Sequence, residues 1–412
     1  MWQIYRTKAG IFKMINAYYD DRDFYKREKK AVVKVLAYSD NPFPEIKLFC
    51  QLWYDNNNES IEIEAELESL YNWKQRNEKT LKPFLIVCSN PLMNQGLVPS
   101  SVSIVENQAD VAKNNFQIIY KPPESRNKKP FAPCLKLFDY QTDKSRQLIE
   151  FVEIWLILGA DKVLVNAFKV HQQIKKVLKF YESVGKVKLS LMTLPKGTAN
   201  ILKSGVQLSQ NDNMAYTDCF YKNMYDYSFI IPIDFDELIV PTKPDDKNLI
   251  DTLDRILANG KKLQTPLFST YEARHTLFLL NNKHKNEIQP EVPKDFLFLQ
   301  KVFRSNTVHA KHHAAKSFLN TEIVCAMNQH FAFRCNGTKA CDRFEIDMEE
   351  AKMQHYRHDL PADKVIFIIK CSNNTSRFRG DHTKLPYKKC DRGRGSWNAK
   401  KSVTYYSNTA FP

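Results

Sequence analysis

Short apolar runs separated by polar stretches recur over the first 125 residues, and Ile61 to Leu67 alternates with a period of two, the spacing of a half-buried strand. Residues 31–39 (Ala-Val-Val-Lys-Val-Leu-Ala-Tyr-Ser) are rich in β-branched side chains and predict a strand. Residues 46–54 predict a second, closed by the turn-forming run Asp55-Asn56-Asn57-Asn58. Further strands are expected at 61–67, 84–88, 102–105 and 116–120. Residues 1–125 therefore read as an antiparallel β-rich region. Residues 121–130 are polar and Pro-rich and read as a linker.

The pattern then changes to strands alternating with helices. A strand is expected at 135–138. Residues 145–158 follow with Leu148, Phe151, Val152, Trp155 and Leu158 on one helical face, and Gly159 as the stop. A strand at 162–166 precedes a helix at 171–184, whose Ile174, Val177, Leu178 and Tyr181 face inward. A strand at 187–192, a helix at 210–225 and a buried strand at 229–233 complete the run. This alternation predicts an α/β fold with a parallel sheet and crossover helices over residues 131–360. A strand at 317–326 and a helix at 347–356 are expected later, and residues 361–412 form a basic C-terminal extension.

Composition narrows the function classes. Apolar residues make up 43% of the 412, ample for a large core, so the chain is globular. Lys and Arg outnumber Asp and Glu by 61 to 46, a net charge of +15. Such a balance permits a nucleic-acid partner, an anionic membrane surface or a phosphorylated substrate. The basic residues are spread out, with short clusters at 26–30 and 388–394, no Arg-rich arm and no zinc-finger spacing. Nucleic-acid binding is accordingly not expected.

Nine cysteines occur without a CxxC pair, which argues against structural zinc. The odd count leaves at least one thiol outside an intrachain disulfide. Cys335 and Cys341 flank a loop carrying the glycosylation triplet Asn336-Gly337-Thr338. Similar triplets begin at Asn58, Asn373 and Asn374. A sequon in a Cys-bounded loop fits an oxidising lumenal compartment. No N-terminal apolar stretch of about 7–15 residues marks a signal peptide, and no run of about 18 apolar residues spans a membrane. The expectation is either a cytosolic chain or one whose anchor lies upstream of Met1.

The most informative motif is acidic. Phe229-Ile230-Ile231-Pro232-Ile233 runs into Asp234-Phe235-Asp236-Glu237. A buried strand ending in carboxylates delivers them to the carboxyl edge of the sheet, where open α/β sheets bind ligands. If strand geometry persists, Asp234 and Asp236 point the same way. Two neighbouring carboxylates repel unless a cation sits between them. Mg²⁺ or Mn²⁺ suits such a site, taking one or two carboxylates, waters and diphosphate oxygens.

Several blocks resemble glycosyltransferase family 92, in order and scattered over residues 2–360. They are Asn16 to Arg22, Cys134 to Phe138, Glu153 to Ala160, Val177 to Tyr181 with Gly185, Asp218-Cys219, Asp234 to Glu237 with Pro241, His330, and His355-Tyr356-Arg357. The chain departs from the family pattern at Val165-Asn166-Ala167, where a Tyr-containing turn is usual, and before Pro195, where a Trp is common. The resemblance implies a GT-A fold, a UDP-sugar donor, a Mn²⁺ or Mg²⁺ cofactor and a Golgi-lumen enzyme anchored as a type II membrane protein, or otherwise secreted. Relatives transfer galactose, including to fucose on N-glycan cores, so an inverting UDP-galactose-dependent enzyme with a glycan acceptor is implied.

The expected roles follow. Asp234, Asp236 and Glu237 form the catalytic group. Asp236, Asp234, His330 and His355 are the metal-ligand candidates, with imidazole acceptable to Mn²⁺ as one nitrogen among oxygens. Asp234, Lys136 and Arg357 are expected to meet the nucleotide or diphosphate. Asp218 is expected to cap or support the acidic strand, and Tyr18, Tyr19 and Arg22 to form a structural brace near the donor site. Asp342, Glu345 and Asp347 are available carboxylates for a base. His309, His312 and His313 read as surface residues without carboxylate partners. The competing reading is a silent relative that binds glycan or nucleotide sugar without turnover.

Overall fold

The computed structural model describes residues 1–22, 31–42, 44–55, 57, 59–70, 80–195, 205–279, 292–293, 296–301, 303–310, 312, 314–335, 341–357 and 368–370; of 279, 303–307, 333, 357 and 368–370 only the backbone is described. The asparagines of the four sequons, both basic clusters, His313 and nearly all of the C-terminal extension lie outside these residues.

The N-terminal region comprises β1 (Gln3–Thr7), β2 (Gly10–Asp20), β3 (Val32–Ser39), β4 (Leu48–Trp53), β5 (Ile61–Ser69), β6 (Lys82–Ser89), β7 (Ser101–Val105) and β8 (Phe116–Ile119). Seven strands close a barrel in the order β2-β3-β6-β5-β4-β7-β8, and β1 adds outside β2. Closure comes from a parallel pairing of Ala17 and Tyr18 with Ile118 and Ile119. It leaves those seven strands without an open edge. Phe12, Met14, Val35, Ile86, Val102 and Ile104 fill the interior, with a Cys50–Cys88 disulfide.

The second region is built on β9 (Lys129–Tyr140), α1 (Ser145–Ile157), β10 (Val163–Val170), α2 (Gln172–Ser183), β11 (Val187–Leu191), α3 (Gly205–Asn223) and β12 (Tyr227–Ile233). β9 thus begins inside the expected linker. Then come β13 (Glu237–Pro241), α4 (Leu249–Lys262), β14 (Thr270–Ala273), β15 (His275–Leu279), β16 (Phe303–Val308), β17 (Lys316–Asn320), β18 (Val324–Met327), β19 (Ala332–Cys335), β20 (Arg343–Glu345), β21 (Ala351–Arg357) and β22 (Ile368–Lys370). The central sheet runs β11-β10-β9-β12-β17-β14-β20, with its first four strands parallel and β17 antiparallel to β12. A second sheet runs β13-β21-β15-β16-β22. The result is a mixed α/β architecture.

Alternation along the central strands assigns the faces. Phe131, Leu135, Ile231 and Ile233 pack under α1, α2 and α4. Ala132, Cys134 and Ile230 face α3, whose Tyr216 and Phe220 lie against Tyr18, Leu36 and Tyr38 of the barrel. Gly159 takes φ +98° to end α1, a conformation side-chain-bearing residues rarely adopt. A Cys134–Cys219 disulfide ties β9 to α3. It closes a separation of 85 residues, a loop for which chain entropy alone gives stabilisation on the order of 4–5 kcal/mol.

Two expectations are corrected. Residues 347–356 are not a helix: residues 348–350 turn and Ala351–Arg357 is strand β21. Glu, Ala, Lys, Met and Gln favour helix, but Ala351, Met353 and His355 alternate inward against β13 and β15, and that pairing overrides propensity. The strand at 317–326 is two strands, β17 and β18, separated by a turn at 321–323. α4, β1 and β2 were not expected from the pattern.

Asp218 does not support the acidic strand. It accepts hydrogen bonds from Asn16 (2.6 Å), Lys222 (2.6 Å) and the Tyr18 hydroxyl, locking α3 to the barrel. Arg22 pairs with buried Asp20 at 2.8 Å and donates to the Thr321 and Val324 carbonyls. Barrel and sheet region therefore share a buried, charge-compensated joint.

Candidate active site

The order β11-β10-β9-β12 reverses direction between β9 and β12, which makes their carboxyl ends the topological switch point. β12 pairs with β9 up to Ile233 and Leu135. The next residues, Asp234 and Lys136, therefore sit side by side, with Lys136 Nζ 3.5 Å from Asp234 Oδ1.

The strand stops at Ile233, so the two aspartates do not share a strand face as expected. Glu237 N–H donates to the Asp234 carbonyl at 3.1 Å, closing a turn. The turn is anchored by Phe235, which is buried against Phe138, Tyr140 and Phe151 with ring centroids 5.0, 5.2 and 5.5 Å away. Its carbonyl accepts from Gln147 at 3.2 Å. The three carboxylates consequently diverge. Asp234 and Glu237 turn inward, with side chains 18% and 3% exposed, while Asp236 is 38% exposed.

The inward pair surrounds a buried ammonium. Lys316, the first residue of β17 and fully buried, lies 3.1 Å from Glu237 Oε2 and 3.6 Å from Asp234 Oδ2. It also donates to the Gln329 carbonyl at 3.0 Å. Tyr216 on α3 donates to Asp234 Oδ1 at 3.1 Å, and Glu237 Oε2 accepts the Asp234 N–H at 3.0 Å. Burial disfavours the Asp234 carboxylate, but Lys316 and Lys136 outweigh it and hold its pKa well below the usual range. Burial pushes the Glu237 carboxyl up despite Lys316. Burial likewise opposes the Lys136 and Lys316 charges, and the facing carboxylates raise both pKa values instead. Asp212 on α3 adds a carboxyl that burial raises to about 7, with Lys136 opposing.

Asp236 has a different partner. β13 pairs antiparallel with β21, placing His355 opposite Glu237. His355 Nε2 lies 3.3 Å from Asp236 Oδ2, and its Nδ1 lies 3.5 Å from Glu237 Oε1. The Tyr356 N–H donates to the Asp236 carbonyl at 2.8 Å, fixing this end of the turn on β21. His330 turns Nδ1 to the Ala315 carbonyl at 3.0 Å, and its own carbonyl accepts from the Ser317 hydroxyl at 2.6 Å, so these contacts join it to the start of β17 and not to Asp236. The Arg357 side chain lies outside the described residues. Among the described residues, no group of three or more His, Cys, Asp or Glu side chains is spaced to hold a metal ion.

The sequence pattern missed Lys316, Tyr216, Asp212 and His275. The signal for Lys316 is a single lysine in the apolar run Ala314 to Leu319. His309 and His312 also have partners: His309 stacks on His275 with ring centroids 4.2 Å apart, and His312 Nδ1 contacts Glu272. The available base carboxylates are engaged in backbone or ionic contacts. Asp342 accepts the Ser269 N–H, Asp347 the Glu349 N–H, and Glu345 lies 3.8 Å from Arg274.

Behind the turn, Glu150 on α1 accepts the backbone N–H groups of Leu297, Phe298 and Leu299 at 2.5, 2.9 and 2.9 Å. Phe298 in turn packs edge-on against Tyr356. Burial raises the Glu150 carboxyl from 4.5 to about 7, against the three donors. The folded state thus binds this proton more tightly than the unfolded one. Its contribution to stability is complete below pH 4.5 and lost as pH rises through about 7. Glu150→Gln should remove that loss, so variant-minus-wild-type melting temperature should increase between pH 4.5 and 8. A flat difference contradicts the assignment.

Gln141, Phe168, Lys169, His171, Lys175 and Leu191 help line a cavity of about 710 Å³, whose lining does not include Asp234 to Glu237, Lys316 or His355. It opens at the carboxyl ends of β9 and β10. No described helix is long and apolar enough to cross a membrane.

No curated protein matches the chain. The family model of glycosyltransferase family 92 matches residues 129–391. The match starts at the first residue of β9, so the barrel and its Asn16 to Arg22 block lie outside it. With more than half its length matched, and with the acidic turn, Lys316 and His355 inside the matched region, the chain belongs to glycosyltransferase family 92.

Proposed function

We propose that the chain is a metal-dependent galactosyltransferase of GT-A type, moving galactose with inversion from UDP-galactose to a glycan such as fucose on an N-glycan core. The observation that carries this reading is the split of the acidic turn. Two carboxylates are paired with Lys316 from below, Asp234 also with Lys136, and the third, Asp236, stands at the surface beside an imidazole nitrogen.

The donor set fits a divalent cation. Asp236 and His355 offer one oxygen and one nitrogen from fixed elements, and Mn²⁺ accepts both. Cations of this kind at nucleotide sites take few protein ligands and complete their shell with phosphate oxygens and water. Asp236 and His355 would hold the ion, which when bound supplies charge compensation for the departing diphosphate. Lys136, 30% exposed at the rim, is placed to orient the diphosphate. Asp234, clamped by Lys136, Lys316 and Tyr216, holds the turn and faces the ribose side. The cavity at the carboxyl ends of β9 and β10 would take the nucleoside, with Phe168 and Lys169 in its lining. Three disulfides among the described residues support a lumenal, Golgi setting.

The test is UDP release from a panel of UDP-sugars with Mn²⁺ or with EDTA. Turnover should be greatest with UDP-galactose, cease with EDTA and return with added Mn²⁺. Donor binding without turnover of any sugar would mark a silent relative instead.

A further inference from the structure

His355 is backed by a second buried imidazole. β15 lies parallel to β21, with His275 in register with Met353. From there its side chain reaches His355, and His275 Nε2 lies 3.2 Å from His355 Nδ1. Both residues are buried, at 5% and 9% exposure. On its other side His275 stacks on His309, with centroids 4.2 Å apart and planes 26° from parallel. His309 is itself tied down, since its N–H donates to the His275 carbonyl at 3.2 Å and its carbonyl accepts from Arg274 at 3.0 Å.

We infer that His275 is a positioning residue: its Nε2 receives the Nδ1 proton of His355 and so holds His355 Nε2, lone pair outward, toward Asp236. This rests on the reading that Asp236 and His355 hold the divalent cation.

A neutral imidazole carries one N–H and one acceptor nitrogen. A cation taken by Nε2 requires the proton on Nδ1, and the partner of Nδ1 then sets the ring's tautomer and angle. Two groups face Nδ1, His275 Nε2 at 3.2 Å and Glu237 Oε1 at 3.5 Å. Glu237 is already committed through Oε2 to Lys316 and the Asp234 N–H. The shorter contact belongs to His275, and the stack with His309 keeps that ring from turning away. The sequence offers no hint of this, because 80 residues separate the two histidines and only the β15–β21 pairing joins them.

The test uses the full chain and Mn²⁺ affinity in the presence of UDP, read by the loss of the free Mn²⁺ EPR signal. His275→Phe keeps a ring on His309 but removes the acceptor, and should weaken Mn²⁺ binding by about 10- to 100-fold. His275→Gln restores an acceptor and should bind within a few-fold of wild type. Thermal melts of both variants identify any loss of fold. Wild-type affinity in a folded His275→Phe, or a His275→Gln as weak as the phenylalanine variant, overturns the role of His275 alone. A wild-type chain that takes up no Mn²⁺ overturns the Asp236–His355 reading together with it.

Discussion

Asp236→Asn should reduce sugar transfer by at least about 1,000-fold while the chain stays folded. The substitution keeps the shape of the side chain and removes its charge. Asp236 is the most exposed of the three carboxylates, and among the described residues its close side-chain partner is His355 at 3.3 Å, so little folding energy rests on it. In the proposed function it would hold the cation whose charge compensation at the diphosphate is worth several kcal/mol in the transition state, and about 4 kcal/mol corresponds to 1,000-fold in rate. Donor turnover and a melting curve, measured together, check it. Activity above a tenth of wild type in a folded variant would remove Asp236 from the mechanism.

Lys316→Met should act through stability. The lysine is fully buried between Asp234 and Glu237, and Glu237 is itself 3% exposed. Removing one partner of a buried ion cluster leaves uncompensated charge and typically costs about 3–5 kcal/mol. Adding Glu237→Gln removes one of the orphaned charges, so the double variant should recover part of the loss, an interaction that a double-mutant cycle reads directly. Denaturant melts of the four chains supply the numbers. Additive losses in the double variant would show that the lysine does not serve as counter-charge for Glu237.

How far these sites were legible in the chain depended on the range of the interactions that form them. The βα alternation after residue 131, the helix ending at Gly159 and the acidic turn after an apolar strand are local, and each shows in a window of a few residues. The β-rich nature of the first 125 residues shows equally in its short apolar runs. Its closure does not, because the pairing of Ala17–Tyr18 with Ile118–Ile119 is a contact between segments about 100 residues apart. The stretch 347–356 misleads because its residue types prefer helix while its burial alternates as a strand. Lys316 is the sharpest case. Next to His312 and His313 a lysine reads as solvated, and only the β12–β17 pairing reveals that it lies beneath two carboxylates. His355 was picked out by its block, and the β13–β21 register brings it to Asp236. The barrel lies beyond the family match, and its Asn16 to Arg22 block proves to be part of the joint with α3 and the β17–β18 turn.

The most direct measurement is an anomalous-scattering map at the manganese edge from crystals of the full chain grown with Mn²⁺ and UDP. The account predicts one strong peak within coordination distance of an Asp236 carboxylate oxygen and His355 Nε2, with UDP phosphate oxygens completing the shell and Lys316 still beneath Asp234 and Glu237. A peak elsewhere, or UDP bound at this turn with no metal between it and Asp236, would contradict it.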